Sequence, residues 1–179
     1  MAPCHRAMLP LLCILVFSTA AAVEEAGGGN VGHPTHLHFY FHENFSGGPN
    51  STAVQVSKAR GGSNNSSFFG AVFVVDDMLR EGADPASQLL GRAQGLTVGA
   101  SLSDGALLTV FNFVFTEGAY SGSSLTLLGR ALLGTFMERP IVGGTGVFRM
   151  ARGYTLSKMI ESPDPNNLLV LEYDAYIWH

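Results

Sequence analysis

Leu107-Leu108-Thr109-Val110-Phe111-Asn112-Phe113-Val114-Phe115 is built, Asn112 apart, of β-branched, aromatic and leucine residues, with neither glycine nor proline inside it. Such a run reads as a β-strand, and the turn-forming residues around it set candidate bounds of 106–116. Alternation puts Leu107, Phe111, Phe113 and Phe115 on one face and Leu108, Val110 and Val114 on the other. The strand is therefore apolar on both faces. Residues 68–75 repeat the pattern, with Phe69, Ala71, Phe73 and Val75 on one side and Phe68, Val72 and Val74 on the other. One face of each strand suits the interior of a folded sheet, and the other needs a cover. Charged residues make up only 13% of the chain, against about a quarter in typical domains. A second copy of the chain is the predicted cover, so a homo-oligomer is expected.

Outward from this strand the signals stay β. Further candidate strands are 35–43, 52–58, 68–78, 89–102, 123–129, 146–159 and 168–178, with a weaker one at 135–142. Gly47-Gly48-Pro49-Asn50, Ser103-Asp104-Gly105 and Ser162-Pro163-Asp164-Pro165-Asn166-Asn167 supply the turns. No amphipathic helix of useful length is visible, and the connections are too short for crossover helices, so the sheet should be antiparallel. About eight consecutive antiparallel strands in one domain predict an all-β fold closed into a barrel, which removes exposed sheet edges. On pattern alone a two-sheet sandwich remains the alternative.

The N-terminus reads as a leader. A weakly basic start at His5 and Arg6, an apolar run from Met8 to Phe17 and small residues at Ala20-Ala21-Ala22 predict a secretory signal peptide at residues 1–22. The run is too short for a membrane span, so no membrane association is expected after cleavage. Residues 23–34 are glycine-rich and unpatterned, a flexible segment ahead of a domain at 35–179. Cys4 and Cys13 both fall in the leader, so the mature chain is expected to hold no disulfide and no cysteine chemistry. Asn44, Asn50, Asn64 and Asn65 each begin an Asn-x-Ser/Thr triplet and are candidate glycosylation sites on surface loops. The net charge of −4, without basic clusters, argues against nucleic acid and anionic membranes as partners.

Glu43 is the candidate catalytic acid. Alternation aligns it with Leu37, Phe39 and Phe41. If that face looks inward, a carboxylate ends an apolar row, where desolvation raises its pKa toward neutrality and suits it to move a proton. If the strand ends one residue earlier, Glu43 is solvated. His36-x-His38-x4-Glu43 is similar to part of a cupin manganese motif, but the flanking glycines and the second histidine-bearing segment are missing. His36, His38, Tyr40 and His42 fall on the face opposite the apolar row, as solvated or interface residues rather than ligands. Gly143-Gly144-Thr145-Gly146 lacks the Lys-Ser/Thr ending and the helix of a phosphate loop, and reads as a tight turn. A Gly-x-Ser-x-Gly elbow is absent, which weakens a hydrolase reading. Arg92, Arg149 and Arg152 are expected to form structural ion pairs with Asp76, Asp77 or Glu138.

Three segments taken in order carry a family resemblance: His36-Leu37-His38-Phe39-Tyr40-Phe41-His42-Glu43, Gly91-Arg92-Ala93-Gln94-Gly95, and Val142-Gly143-Gly144-Thr145-Gly146-Val147-Phe148-Arg149-Met150-Ala151-Arg152-Gly153-Tyr154. Together with Asp76-Asp77 and the sequon at Asn50, the chain resembles the dirigent family of secreted plant proteins. The resemblance implies an eight-stranded antiparallel barrel related to allene oxide cyclase, a homodimer or homotrimer, and secretion to the apoplast. It implies stereoselective coupling of phenoxy radicals from monolignols such as coniferyl alcohol, made by a separate laccase or peroxidase, in lignan, lignin or defence phenylpropanoid metabolism. No cofactor is implied, since a chiral container suffices to choose the product of a nearly barrierless radical pairing. Glu43 stands where the family usually has a pocket aspartate. The aromatics often found after the Gly-Arg-Ala-Gln-Gly motif are replaced by Thr97 and Gly99. The aspartate of lignan-forming members falls near Ala131, and their arginine near Met137, with Arg139 two residues on. Phe111-Asn112-Phe113-Val114-Phe115-Thr116-Glu117-Gly118 and Leu128-Gly129-Arg130 resemble a branch of the family whose products are mostly unassigned and in which some relatives act on isoflavonoid alcohols. Two other functions follow for the same fold: a cofactor-free enzyme using Glu43 for proton transfer on a phenolic alcohol, and a non-catalytic phenolic-binding protein of the wall or defence response.

Overall fold

The computed structural model describes residues 32–59, 68–165 and 168–179. The expected leader, Asn64 and Asn65 lie outside the described residues. Nine strands follow one another: β1 (Thr35–Asn44), β2 (Ala53–Ser57), β3 (Val72–Arg80), β4 (Leu89–Gly99), β5 (Leu107–Phe115), β6 (Ser124–Ala131), β7 (Met137–Thr145), β8 (Arg152–Met159) and β9 (Leu168–Trp178). Each of β3 to β9 pairs with its sequence neighbour, all antiparallel, and β9 pairs with β1 from Thr35↔Ile177 to Asn44↔Leu168. Three rungs between β1 and β3, Tyr40↔Arg80 to His42↔Met78, close the ring. The result is an eight-stranded antiparallel barrel, with β2 as an extra strand.

The extra strand has a simple origin. β1 and β2 run in the same direction along one edge of β3, at successive stretches of it. They amount to one barrel strand interrupted by residues 45–52, whose Gly47 takes a positive φ of 72°. Two expected strands are shorter than their composition suggested. Residues 68–70 form a turn, with Gly70 at φ 86°. Residues 146–151 form a 3-10 turn before β8, with Met150 at φ 65°; the buried Phe148 anchors that turn against the core.

The glycines of Gly91-Arg92-Ala93-Gln94-Gly95 lie on the inward face of β4. A Cβ at Gly91 would sit 2.0 Å from the Val114 carbonyl oxygen, and one at Gly95 1.9 Å from that of Val110. Neither position admits a side chain, so these glycines let the backbone of β5 press against β4. With β4 stripped to small residues, the aromatic rings of its neighbours fill the space. Phe39 stacks on Tyr173 and meets Phe113 edge-on, each at 5.4 Å between centroids. Phe115, Phe148 and Tyr120 extend the cluster. Each buried ring contributes about 2 kcal/mol by leaving water. This packing fills the end of the barrel where β1 begins and β9 finishes. The opposite end, where β1 finishes and β9 begins, is hollow.

On the outer surface, Val54↔Val74, Val74↔Leu96, Leu96↔Val110 and Val110↔Leu128 are successive register pairs. They form one apolar row across β2 to β6, and Val54, Val74, Leu96 and Leu128 are exposed. Among the described residues, nothing covers the outer faces of the strands first singled out by sequence.

Candidate functional site

The hollow end holds a cavity of about 450 Å³, within the size range of small-molecule sites. Its walls are mostly apolar, including Phe41 from β1, Phe111 from β5, Met137 from β7 and Leu171 from β9. Glu43, Thr97, Thr109 and Arg139 are the polar groups that face it. Ala131 also lines it and offers only a methyl group.

Glu43 lies on the inward face in line with Phe41, as alternation required. Burial pushes its carboxyl up to about 6, so it exchanges a proton close to neutrality. His36 and His38 lie on the outer face, where both bond Asp174 Oδ1, at 2.8 and 3.0 Å. The partial cupin-like motif therefore points its histidines away from its glutamate and cannot hold one ion. His42 departs from the expected solvated placement. It is 1% exposed, its Nε2 lies 3.0 Å from the Gly82 carbonyl oxygen, and burial lowers its pKa.

Arg139 is the cation of the cavity. The β7 alternation that turns Met137 inward also turns Arg139 inward, and the side chain is 1% exposed. It donates to Thr109 Oγ1 at 3.1 Å, to Ser157 Oγ at 2.9 Å and to the Tyr173 hydroxyl. Its guanidinium carbon lies 5.1 Å from the Tyr173 ring centroid and 5.8 Å from that of Phe111. Its partners are neutral, and Nε is buried without one. Among the described residues no carboxylate lies within ion-pair distance of it. A buried guanidinium held in a polar cradle attracts electron density on a guest's oxygen.

Asp77 is the residue that sequence reading misplaced. Arg92 pairs with Asp76, at 2.6 Å on the outer surface, and leaves Asp77 without a cation. Asp77 points inward, fully buried, and accepts a hydrogen bond from the Thr52 hydroxyl. Burial, then the nearby charge of Glu43, pushes its carboxyl up to about 9. The signal was present in the sequence: the alternation that puts Phe73 and Val75 inside puts Asp77 there too. Among the candidate glycosylation sites, Asn50 is exposed in the turn between β1 and β2. Asn44 ends β1 and its side-chain oxygen accepts the Ser46 N–H at 3.0 Å.

The profile described as "Dirigent-like protein" matches residues 34–178, nearly all of the described domain. The chain belongs to the dirigent family. Dirigent protein 1 of Arabidopsis thaliana is 44% identical over 146 residues, spanning 81% of this chain and 79% of the relative. Pterocarpan synthase 1 of Glycyrrhiza echinata is 38% identical over 147 residues, 81% of this chain and 78% of that one. A solved structure of a pterocarpan synthase dirigent protein superposes with a TM-score of 0.74 at 38% identity, covering 81% of this chain and 89% of that one. The barrel described above is thus the dirigent fold. In this dirigent protein Glu43 and Arg139 both line one chamber.

Proposed function

We propose that this dirigent protein binds a phenylpropanoid-derived phenol in the barrel cavity and sets the stereochemistry of ring closure through a quinone methide. The observation that carries the reading is the placing of one titratable acid, Glu43, and one buried cation, Arg139, in the wall of a single apolar cavity. The relatives named pterocarpan synthases add weight to a cyclising role.

The chemistry runs as a proton cycle. The phenolic oxygen of a benzylic alcohol sits against Arg139 and gives its proton to water. Glu43 in its acid form protonates the benzylic hydroxyl, the carbon–oxygen bond breaks with both electrons, and water leaves. The ring is then a quinone methide whose carbonyl oxygen is stabilised by the guanidinium. A second hydroxyl of the guest attacks the benzylic carbon from the face the cavity leaves open. Its proton passes to the Glu43 carboxylate, and the phenolate at Arg139 regains a proton from water. The net change is loss of one water, and Glu43 ends as it began.

The same site serves a second entry to the intermediate. A laccase or peroxidase oxidises two monolignols such as coniferyl alcohol to phenoxy radicals, which couple in the cavity and close by the same return of a proton to Glu43. The dehydrative entry is favoured, because a carboxylic acid beside a guanidinium does nothing for radical pairing itself. Secretion to the apoplast, glycosylation at Asn50, and assembly into a homodimer or homotrimer through the outer apolar row complete the proposal.

The test incubates purified protein alone with a racemic isoflavanol and, in parallel, with coniferyl alcohol and laccase, and reads products by chiral chromatography. A single enantiomer formed from the isoflavanol without oxidase, and lost in Glu43→Gln, supports dehydrative closure. Stereoselectivity only in the laccase arm supports radical coupling. Racemic or absent product in both overturns both.

A further inference from the structure

Across the seam of the barrel, Phe41 pairs with Leu79 and His42 with Met78. Continued by one step, that register sets Glu43 opposite Asp77, on the same inward face as Phe41 and Leu79, and the charge of Glu43 is felt at Asp77. There the ladder stops, because β3 changes partner: the Asp76 N–H donates to the Thr52 carbonyl oxygen at 2.9 Å. Directly opposed residues of an antiparallel pair hold their Cβ atoms about 5 Å apart, and like charges so placed repel. Bulk solvent does not reach Asp77, which is 0% exposed.

The hydrogen bonds of Asp77 are one-sided. Oδ1 accepts from the Thr52 hydroxyl, while Oδ2 is buried without a partner. Thr52 is itself fixed, since its hydroxyl oxygen accepts the Asn44 N–H at 2.8 Å and its own N–H donates to the Asn44 carbonyl oxygen at 2.8 Å. A charged carboxylate would leave Oδ2 unsatisfied in a dry site. A protonated one makes it a donor, and the Glu43 carboxylate is the acceptor that the register supplies.

We infer that Glu43 and Asp77 form an acid pair in which Asp77 keeps its proton at neutral pH, as a positioning residue, and Glu43 alone exchanges protons with the guest. The inference rests on the proposed role of Glu43 as proton carrier and assigns how that role is sustained. When Glu43 has protonated the departing hydroxyl, its carboxylate is left in an apolar wall. The Asp77 hydroxyl then donates to it and holds it in place for the returning proton. Asp77 gains and loses none over the cycle. The other groups facing the pair are accounted for. Asp76 and Arg92 neutralise each other on the outer side of β3 and β4. Tyr173 on β9 has its hydroxyl pushed up by burial and stays a neutral phenol. Arg139 on β7 lines the same cavity as Glu43 but makes no ion pair with either acid, and His42 is turned to the opposite face of β1.

Infrared spectroscopy of the ligand-free protein tests this without any substrate. At a pH of about 7.5, well above the ordinary carboxyl range, a protonated-carboxyl C=O band is expected in the wild type and is expected to vanish in Asp77→Asn. In Glu43→Gln the midpoint of that band should move down by about one unit, as the like charge is removed. Absence of the band in the wild type, its survival in Asp77→Asn, or an unmoved midpoint in Glu43→Gln overturns the inference. Turnover gives an independent reading: Asp77→Asn keeps a neutral donor and should hold the pH midpoint of activity within about 0.3 units. A drop of a unit or more would mean that Asp77 had been charged. Because the spectra need no guest, they can fail while the proposed reaction stands, and the reaction can fail while the spectra hold.

Discussion

Glu43 gains its chemistry from its neighbours rather than from its type. Held up to about 6 by burial, it is an acid below that pH and a base above it. A step that needs it as proton donor should run on a plateau at lower pH and fall tenfold per unit above about 6, measured as kcat against pH. Glu43→Gln keeps the shape of the cavity wall and removes the transferable proton; it should lower kcat by about 10²- to 10⁴-fold while leaving guest binding by fluorescence or calorimetry nearly intact. Arg139→Met is expected to weaken both guest binding and turnover, because it removes the group that the proposed mechanism sets against the phenolic oxygen. Of these residues, Glu43 was legible in the sequence because it ends an unbroken apolar alternation. Arg139 was half legible: family likeness pointed to that neighbourhood, but only the register of β7 shows that Met137 and Arg139 share an inward face. Asp77 was one of three acids expected as ion-pair partners; Arg92 takes Asp76, and side-chain alternation along β3 separates that outer carboxylate from the inner one.

At the level of elements, alternation and turn chemistry set most strand positions, and the failures are informative. Phe68-Phe69 and Gly146-Val147-Phe148 have the composition of strands, yet both belong to turns. In the first, Gly70 adopts a positive φ; in the second, Met150 does so against its own preference. Local propensity carries no trace of the tertiary anchor, here Phe148 in the core, that enforces such a turn. The interruption between β1 and β2 was likewise unreadable as such, since two candidate strands flanking Gly47-Gly48-Pro49 look like an ordinary hairpin. Their parallel placement on β3 emerges only when the barrel closes. The glycines of β4 make a direct prediction at this scale. Gly95→Ala drives a methyl group into the Val110 carbonyl, and should cost about 3 kcal/mol, seen as a lowered midpoint in thermal denaturation. Gly134→Ala, in an exposed turn with nothing within 4 Å of the added carbon but a positive φ, should cost about 1 kcal/mol.

The molecule as a whole carries two further expectations. The outer apolar row is the surface on which the proposed homo-oligomer rests, so Leu96→Lys with Val110→Glu should shift such an assembly toward monomer in analytical ultracentrifugation, with the cavity and its acid unchanged. Stability should also depend on pH from both sides. Glu43 and Asp77 have folded-state pKa values raised above the ordinary carboxyl range. The unfolded chain therefore binds fewer protons than the folded one from about pH 4 upward, and their contribution falls as pH rises toward 9. His42, with its pKa lowered by burial, acts in the opposite sense: its contribution is lost as pH falls below the ordinary histidine range. A thermal midpoint highest at mildly acidic pH follows, and Asp77→Asn should flatten the alkaline side. The division of the barrel into a filled end and a hollow end has a wider consequence. The aromatic cluster that keeps the chain folded shares few residues with the chamber that receives the guest. The chamber wall can therefore be recut for other ligands, one residue at a time, without risking collapse of the protein that carries it.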